Sequence, residues 1–326
     1  MDPAHELILT DALRAPSAHN AQPWRLIADD AGACYELHYD HNDYLPFDPD
    51  DRDAYLCLGA FVETAALAAV RYGHRADFSP VFAREGSDLF VGRIAIREAL
   101  ASDPADPLAD AAADRHTNRC EYDRTPLPPA LLEELNALGC VLVAPESMSR
   151  LVGKASVHAW RDRRFVGDLA TWIKLDDNHA PAGMTPAGLP LTKVETNALR
   201  VAFRARRLPA PLARVFASRD VRLLRHATAV AVLRADDMSA ASLFDAGRRL
   251  LRAWVAIGAA GFAYHPISIA VDRPETAPDV AAISAVACPV AVFRIGHPTG
   301  PAPRSNRRPL ADVLRTEVCS QSASHP

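Results

Sequence analysis

Arginine side chains are the residues of this chain best suited to binding an anion. Arg115 and Arg119 flank Thr117 in the middle of the sequence, and Arg307 and Arg308 lie near its end. A guanidinium group binds phosphate through paired, charge-assisted hydrogen bonds, and a threonine hydroxyl can add a donor. The alternative for Arg115 and Arg119 is a solvated pair of charges. Because these residues are far apart in sequence, a shared anion site requires a fold that returns the tail of the chain to its middle.

A second group of polar side chains lies near the start of the chain, in the segment Ala15-Pro-Ser-Ala-His-Asn-Ala-Gln-Pro-Trp24. Ser17, Asn20 and Gln22 can exchange hydrogen bonds with the polar atoms of a ligand. His19 has two interpretations, a proton donor facing a substrate or a structural hydrogen bond. The prolines at both ends predict a loop, because the residue before a proline avoids the helical conformation.

Length, charge and cysteine content narrow the class of protein. A chain of 326 residues holds either two domains or one large domain built from duplicated parts. Its formal net charge of −4 argues against nucleic-acid binding. The six cysteines show neither a CxxC pair nor zinc-ligand spacing, so we expect reduced, mostly buried thiols and no metal. They are Cys34, Cys57, Cys120, Cys140, Cys288 and Cys319.

The start of the chain is acidic, unlike a signal peptide, and no uninterrupted apolar run reaches the ~18 residues needed to cross a bilayer. We therefore expect a cytoplasmic protein with no membrane contact.

Apolar periodicity predicts two helices and four strands in the first half, which ends near Asp114. The acidic run Asp48–Asp53 is interpreted as the cap of the second helix and not as a metal site. The predicted elements are helix His5–Arg14, strands Trp24–Ala28 and Cys34–Tyr39, helix Asp51–Tyr72, and strands Ala76–Ala83 and Leu89–Ile96.

The second half is predicted to contain more helix. The segment Asn178–Val194 is crowded with proline and glycine, which predicts a surface loop or lid. The other predicted elements are a helix from Pro129 to Leu138, strand Cys140–Ala144, a long helix Met148–Asp176, strand Thr228–Leu233, helix Ala240–Gly258, strand Val290–Ile295 and a helical turn Leu310–Leu314.

Two predicted helices, one in each half, share a pattern. Segments Ala54–Phe78 and Phe244–Phe262 both place a glycine early in a helix of small residues and end with a glycine after an alanine-rich turn. Either the halves are a divergent repeat, or two buried helices of similar composition look alike. Both interpretations are open at this point.

Three motifs carry a resemblance to a known family. The segment from Ala15 to Trp24 resembles the APSxxNxQPW signature of the FMN-dependent nitroreductase superfamily. The element Arg115-x-Thr-x-Arg119 followed by Tyr122 resembles the RxSxR-x-aromatic element of that superfamily, and Arg307-Arg-Pro-Leu310 resembles its C-terminal basic signature. The resemblance covers nearly the whole chain, although residues 78–110 carry no diagnostic motif. No GxGxxG, P-loop, GxSxG or HExxH motif competes with it.

The order of the motifs is inverted relative to ordinary nitroreductases, in which the arginine element comes first. This order is similar to that of the Acg-type FMN-binding proteins, in which two nitroreductase-like halves are fused. The resemblance implies an α+β sandwich with a mostly antiparallel sheet and central packed helices, in which an intrachain pseudo-dimer imitates the superfamily dimer. It implies a degenerate N-terminal half, 1–114, a C-terminal half, 115–326, and a lid insertion, 176–197. A further homodimer is compatible with the sequence and not required by it.

The resemblance also implies a binding site for one FMN per chain. It assigns the phosphate to Arg115, Arg307 and Arg308, and the anionic edge of the reduced ring to Arg119. His265, which precedes a proline, is either a ring contact or a turn histidine. The residues implied to bind the cofactor are Ser17, His19, Asn20, Gln22, Arg115, Thr117, Asn118, Arg119, His265, Ile267, Arg307 and Arg308.

The function implied is an oxidoreductase that moves hydride between FMN and a small organic substrate, with NAD(P)H as a candidate electron donor. The alternative is a protein that sequesters FMN in a stress response, with the lid closed over the flavin so that NAD(P)H cannot stack on it. Such a lid can also simply gate access. A scaffold without flavin is disfavoured, because residues of both the phosphate type and the ring type are present.

Overall fold

The structure is a computed structural model that describes residues 1–29, 32–39, 48, 50–189 and 191–316. The helices are α1 (Pro3–Ala12), α2 (Arg52–Arg71), α3 (Ala109–Ala112), α4 (Pro129–Ala137), α5 (Pro145–Arg161), α6 (Arg163–Trp172), α7 (Lys193–Ala205), α8 (Ala210–Arg225), α9 (Ala240–Ala259), α10 (Ala277–Ser284) and α11 (Leu310–Val313). The strands are β1 (Trp24–Ala28), β2 (Cys34–Tyr39), β3 (His74–Glu85), β4 (Asp88–Glu98), β5 (Tyr122–Asp123), β6 (Cys140–Val143), β7 (Ala229–Arg234), β8 (Ala263–Pro266), β9 (Pro289–Pro298) and β10 (Leu314–Thr316).

The strands form two sheets. The first has the order β10-β1-β2-β4-β3, and the second has the order β5-β9-β7-β6 with β8 also paired to β9. Among the described strands every pair is antiparallel except β1 with β10. The predicted α+β class and the mostly antiparallel pairing are confirmed.

The end of the chain returns to its beginning through β10. Leu26 of β1 is in register with Leu314 of β10, and this pairing makes the C-terminal strand an edge of the first sheet. The C-terminal strand therefore belongs to the sheet whose other four strands come from residues 24–98. The segment that leads into β10 contains Arg307 and Arg308, so this pairing also brings them to the N-terminal loop.

Helices α2 and α9 lie against each other in the centre of the molecule. Gly59 and Gly247 are each the eighth residue of their helix. A β-carbon on Gly59 would lie 1.9 Å from the carbonyl oxygen of Phe244, and one on Gly247 would lie 2.2 Å from that of Leu56. Only glycine permits so close an approach of two backbones. The helices thus cross at equivalent positions, which is the arrangement that a repeat predicts.

Helix α2 is also the one helix in the described part of the chain that is long and apolar enough, by length and composition alone, to cross a membrane. The expectation that no apolar run reaches the length of a membrane span therefore does not hold for α2, in which Glu63 is the one charged residue between Asp53 and Arg71. Of its most apolar window, 78% is buried inside the structure. Packing in the core accounts for this composition. The carboxylate of Asp48 accepts a hydrogen bond from the backbone N–H of Ala54 at 2.9 Å, as the predicted cap of this helix requires.

The prediction of one helix from Met148 to Asp176 is wrong. Asp162 adopts an extended conformation (φ −88°, ψ 123°) between α5 and α6, and its side chain accepts a hydrogen bond from the backbone N–H of Arg164. Asp162 also forms an ion pair of 2.8 Å with Arg273. The break thus depends on a partner 111 residues away. The last residues of the predicted lid, 193–197, are the first turn of α7.

Five cysteines lie in the described part of the chain, and all five are free thiols. Cys57 and Cys140 are buried, whereas Cys34, Cys120 and Cys288 are partly exposed. Burial raises the pKa of Cys140 to about 12, and the pKa of Cys57 is raised as well, by burial and the nearby Asp53. The expectation of mostly buried thiols therefore fits two of the five. Cys319 lies outside the described residues.

Candidate functional site

The loop between α1 and β1 contains three left-handed residues other than glycine. His19, Asn20 and Gln22 have φ values of 52°, 58° and 55°. Each such residue costs on the order of 1 kcal/mol or more, and such strain concentrates at functional sites. Inside the loop, the hydroxyl of Ser17 accepts a hydrogen bond from the backbone N–H of Gln22 at 2.9 Å. Contacts with other segments must hold the loop in this conformation.

Those contacts come from Asn20 and Gln22, which join the loop to the connection between α6 and α7. We call this connection the lid and define it as residues 173–189 and 191–192. The amide of Asn20 donates to the carbonyl of Gly183 at 3.0 Å, and that of Gln22 donates to the carbonyl of Pro181 at 2.8 Å. The backbone N–H of Gly183 donates back to the carbonyl of Asn20. The lid is therefore hydrogen-bonded to the loop.

The same two amides bind the returning tail. The side-chain oxygen of Asn20 accepts from Nη1 of Arg307 at 2.9 Å, and that of Gln22 accepts from the backbone N–H of Arg308 at 2.9 Å. The side-chain amide of Asn306 donates to the carbonyl of Ala180 in the lid. Asn20 and Gln22 thus connect the loop, the lid and the tail, and their amides are already engaged in this conformation.

Arg115 and Arg307 converge, although 192 positions separate them. Nη2 of each donates to the carbonyl oxygen of Arg14, at 2.8 Å and 3.0 Å. Nη1 of Arg115 also donates to the hydroxyl of Tyr264 at 2.6 Å. Burial and the neighbouring charges of Arg115 and Arg14 lower the pKa of Arg307 to about 9. Nε of Arg307 is buried and has no hydrogen-bond partner among the described residues. A compact cationic pair with a spare donor results.

Arg119 lies on the lid side of the loop. Its Nη2 is 3.8 Å from Sδ of Met184 in the lid, and burial lowers its pKa. The neighbouring His19 has its pKa lowered to about 4, because burial and the charge of Arg119 outweigh the opposing effect of Asp53. His19 is therefore a neutral imidazole near pH 7 beside a buried cation.

His265 on β8, one of the two predicted ring contacts, lies near the same cation. Nδ1 of His265 accepts a hydrogen bond from Nε of Arg294 at 3.2 Å. Burial, and then the charges of Arg294 and Arg119, hold the pKa of His265 well below its usual value. Ile267 is buried in the apolar cluster behind β8, and its backbone N–H donates to the carbonyl of Val292.

The remaining predicted residues play more local roles in this conformation. Asn118 is buried. Its side-chain amide donates to the carbonyl of Gly300, and its side-chain oxygen accepts from the backbone N–H of Cys120. Thr117 is half-buried between the two arginines. Arg308 reaches the site through its backbone N–H, which donates to Gln22.

The arrangement can bind an anion and a polar ring. Arg115 and Arg307 repel each other across one carbonyl oxygen, and in the described residues no carboxylate forms an ion pair with either. An anion with two negative charges, such as a phosphate, would remove this repulsion and accept from the free Nε of Arg307. Arg119, His19 and His265 supply one cation and two neutral imidazoles beside it. These residues fit FMN in charge and hydrogen-bonding type.

Sequence reasoning missed several residues of this site. Tyr264 directly precedes His265 in the sequence, and this position was the signal that could have identified it. No local sequence pattern identifies Met184 or the carbonyl of Arg14 as part of the site, because neither a lid contact nor a backbone acceptor depends on a recognisable motif. Asp168 and Trp172 on α6 were also missed. Both oxygens of Asp168 and Nε1 of Trp172 are buried and form no hydrogen bond.

Comparison with known proteins finds relatives in sequence, although no protein-family model matches the chain. A Mycobacterium tuberculosis H37Rv protein named as an NAD(P)H nitroreductase is 30% identical over 174 residues, which are 51% of this chain and 49% of that protein. The chain thus spans about half the length of the curated relative. A Serratia protein, PigM, also named as an NAD(P)H nitroreductase, is 25% identical over 79% of this chain and 78% of its own length.

Two solved structures show a more distant similarity. The nitroreductase NfnB of Mycobacterium smegmatis, in complex with NADPH, is 19% identical, covers 64% of this chain and 98% of its own, and has a TM-score of 0.38. A nitroreductase of Bacteroides fragilis with bound FMN is 13% identical, covers 63% and 95%, and has a TM-score of 0.33. In sequence, the chain is therefore similar to two proteins named as NAD(P)H nitroreductases.

Proposed function

We propose that this protein binds one FMN per chain and acts as an oxidoreductase on a small organic substrate. The observation that carries the proposal is the convergence of Arg115 and Arg307 on the carbonyl of Arg14, with a buried, unpartnered Nε on Arg307. The naming of the sequence relatives as NAD(P)H nitroreductases agrees with it.

Each residue has a role in the proposed site. Arg115 and Arg307 hold the phosphate, with Arg308 and Thr117 beside them. Arg119 stabilises negative charge at the pyrimidine edge of the ring, where a buried cation acts through a low dielectric. When bound, FMN supplies hydride transfer at its ring. His19 and His265 are neutral near pH 7 and so add no positive charge to that of Arg119.

The architecture we propose is an intrachain pseudo-dimer with halves 1–114 and 115–326. The crossing of α2 and α9 at Gly59 and Gly247 supports it, because the eighth residue of each helix contacts the other. The site is then shared, with the loop of the first half facing Arg115, Arg119 and the tail of the second.

A titration tests the function. The purified protein, supplied with FMN, is expected to show a flavin absorption band with one FMN per chain, and anaerobic NADH or NADPH is expected to bleach it. If no flavin band remains after added FMN and gel filtration, the assignment of the cofactor fails.

A second candidate function has its own observation. The lid is hydrogen-bonded to Asn20 and Gln22, and Met184 of the lid lies over Arg119. A lid that stays closed would exclude NAD(P)H, and the protein would then sequester FMN. In that case the band bleaches with dithionite and not with NADH or NADPH.

A further inference from the structure

The helical hairpin of α7 and α8 has a charge opposite to that of the rest of the molecule. Residues 193–226 contain nine lysine or arginine side chains and two acidic ones, a formal charge of +7 in a chain whose net charge is −4. The hairpin lies between β6 and β7 and adds no strand to either sheet. The basic residues are Lys193, Arg200, Arg204, Arg206, Arg207, Arg214, Arg219, Arg222 and Arg225.

The tip of the hairpin concentrates unpaired cations. Three of the nine basic residues have carboxylate partners: Arg200 with Asp176, Arg219 with Glu195 and Arg222 with Glu121. By contrast, Arg204, Arg206, Arg207 and Arg214 are exposed and form no ion pair with any residue in the described ranges. They lie where α7 ends and α8 begins.

Large apolar side chains are exposed among these arginines. Val201 is 58% exposed on the last turns of α7, and Leu212 and Val215 are 48% and 64% exposed on the first turns of α8. An apolar side chain gains nothing from a phosphodiester backbone, whereas it is stabilised by the interfacial region of a bilayer. Arginines beside it would contact the lipid phosphates.

A groove continues this surface along α8. Gly153, Val157, Ala217 and Val221 form a largely apolar floor between α5 and α8. The groove has a volume of 530 Å³ and a rim that includes Arg214, Arg222 and Arg225. Its chemistry repeats that of the tip, with cations around an apolar centre.

We propose that the α7–α8 hairpin is a docking surface for an anionic phospholipid bilayer. The arginines of the tip bind the phosphate headgroups, and Val201, Leu212 and Val215 insert into the interface. This surface departs from the expectation, drawn from the acidic start of the chain and its apolar runs, that the protein has no membrane contact. It is independent of the cofactor, since none of its residues belongs to the FMN site proposed above.

Vesicle sedimentation with the full chain tests the proposal. We expect at least about tenfold stronger binding to vesicles of phosphatidylcholine with 30% phosphatidylglycerol than to pure phosphatidylcholine, with the difference reduced by salt. The variant R204Q/R206Q/R207Q is expected to lose that preference. The control R84Q/R93Q/R97Q removes the same charge from exposed positions on β3 and β4 and is expected to retain it. Circular dichroism establishes that both variants fold.

A second variant separates insertion from charge. L212S/V215S leaves the charge unchanged and is expected to weaken binding severalfold. Equal binding of the wild type to the two vesicle types, or equal loss in the hairpin and control triples, overturns the proposal. Tighter binding to duplex DNA or polyglutamate than to the anionic vesicles also overturns it, because the surface would then recognise another anion.

Discussion

The carboxylate of Asp168 is a buried charge with little compensation. The residue is 4% exposed, and among the described residues neither oxygen has a partner at normal hydrogen-bond distance. Burial raises its pKa to about 6, and the nearby indole of Trp172 offsets this only in part. The folded protein therefore holds the proton more tightly than the unfolded chain does. The cost of ionising Asp168 is fully present above about pH 6 and disappears as the pH falls toward 4.

Asp168→Asn is accordingly expected to stabilise the cofactor-free protein by about 1–3 kcal/mol at pH 7.5. The gain should shrink steadily between pH 6 and pH 5. Urea unfolding of both proteins across this range measures it. A gain that is absent at pH 7.5, or that grows as the pH falls, would show that the carboxylate is compensated in the folded state.

Arg115 and Arg307 are the residues on which the phosphate assignment depends. Arg115→Ala and Arg307→Ala each remove a charge-assisted contact worth about 1.5–3 kcal/mol, so FMN affinity should fall about 10- to 150-fold. Arg304→Ala is the matched control, since Arg304 lies three residues from Arg307 but is exposed and paired with Asp114. Fluorescence titration of FMN gives the dissociation constants. Unchanged affinity in both variants would falsify the phosphate assignment.

The convergence of Arg115 with Arg307 could be predicted from the sequence, because arginine is recognisable as a phosphate ligand by its residue type alone. Asp168 could not be predicted in the same way. A lone acidic residue on a helix is typically solvated, and only the folded chain, in which α6 packs against α5, α7 and the 18–20 turn, buries Asp168.

Gln22 connects the N-terminal loop to the lid and the tail, and we call its hydrogen bonds to Pro181 and Arg308 the latch. Gln22→Ala removes its hydrogen bonds to Pro181 and Arg308 but keeps the β-carbon, so the strain of its left-handed backbone is unchanged. We expect opening of the lid to become about 1–3 kcal/mol easier. Hydrogen–deuterium exchange of residues 178–189 should then be faster.

Thr192→Ala is the control for this latch. Thr192 ends the lid and forms the capping box of α7 with Glu195, without contact to the latch. It should loosen the first turn of α7 and leave residues 178–184 as in the wild type. If Gln22→Ala leaves their exchange unchanged, the lid is held by other contacts. If NADPH reduces the FMN of Gln22→Ala but not that of the wild type or of Thr192→Ala, the lid is the barrier that the sequestering function requires.

Elements could be predicted from the sequence where the signal is local. Strands β1 and β2 have the predicted bounds, because alternation of buried and exposed side chains is a property of each strand alone. The break at Asp162 and the strand β10 could not be predicted. The first depends on Arg273, and the second is a three-residue strand that exists only because β1 offers it an edge.

The whole molecule depends on the contact of α2 with α9, because the proposed site takes residues from both halves. Buried Glu63 on α2 reinforces this contact through ion pairs of 2.8 Å with Arg248 and Arg252 on α9. Glycine at positions 59 and 247 sets the distance between the helices. The sequence showed these glycines at similar places in two helices, but it could not show that they face each other.

Gly247→Ala tests that contact. Its β-carbon would meet the carbonyl oxygen of Leu56, so the helices must separate, and we expect a loss of about 2–4 kcal/mol in the free energy of unfolding. Gly258→Ala on the same helix is the control, since a β-carbon there meets no atom within 4 Å and should be neutral or stabilise by up to about 1 kcal/mol.

Urea unfolding and FMN titration measure both variants. If the halves share one site, Gly247→Ala weakens FMN binding together with stability, because spreading α2 from α9 displaces the loop at Asn20 from Arg115. Weakened stability with unchanged FMN affinity would mean that the site is built within one half.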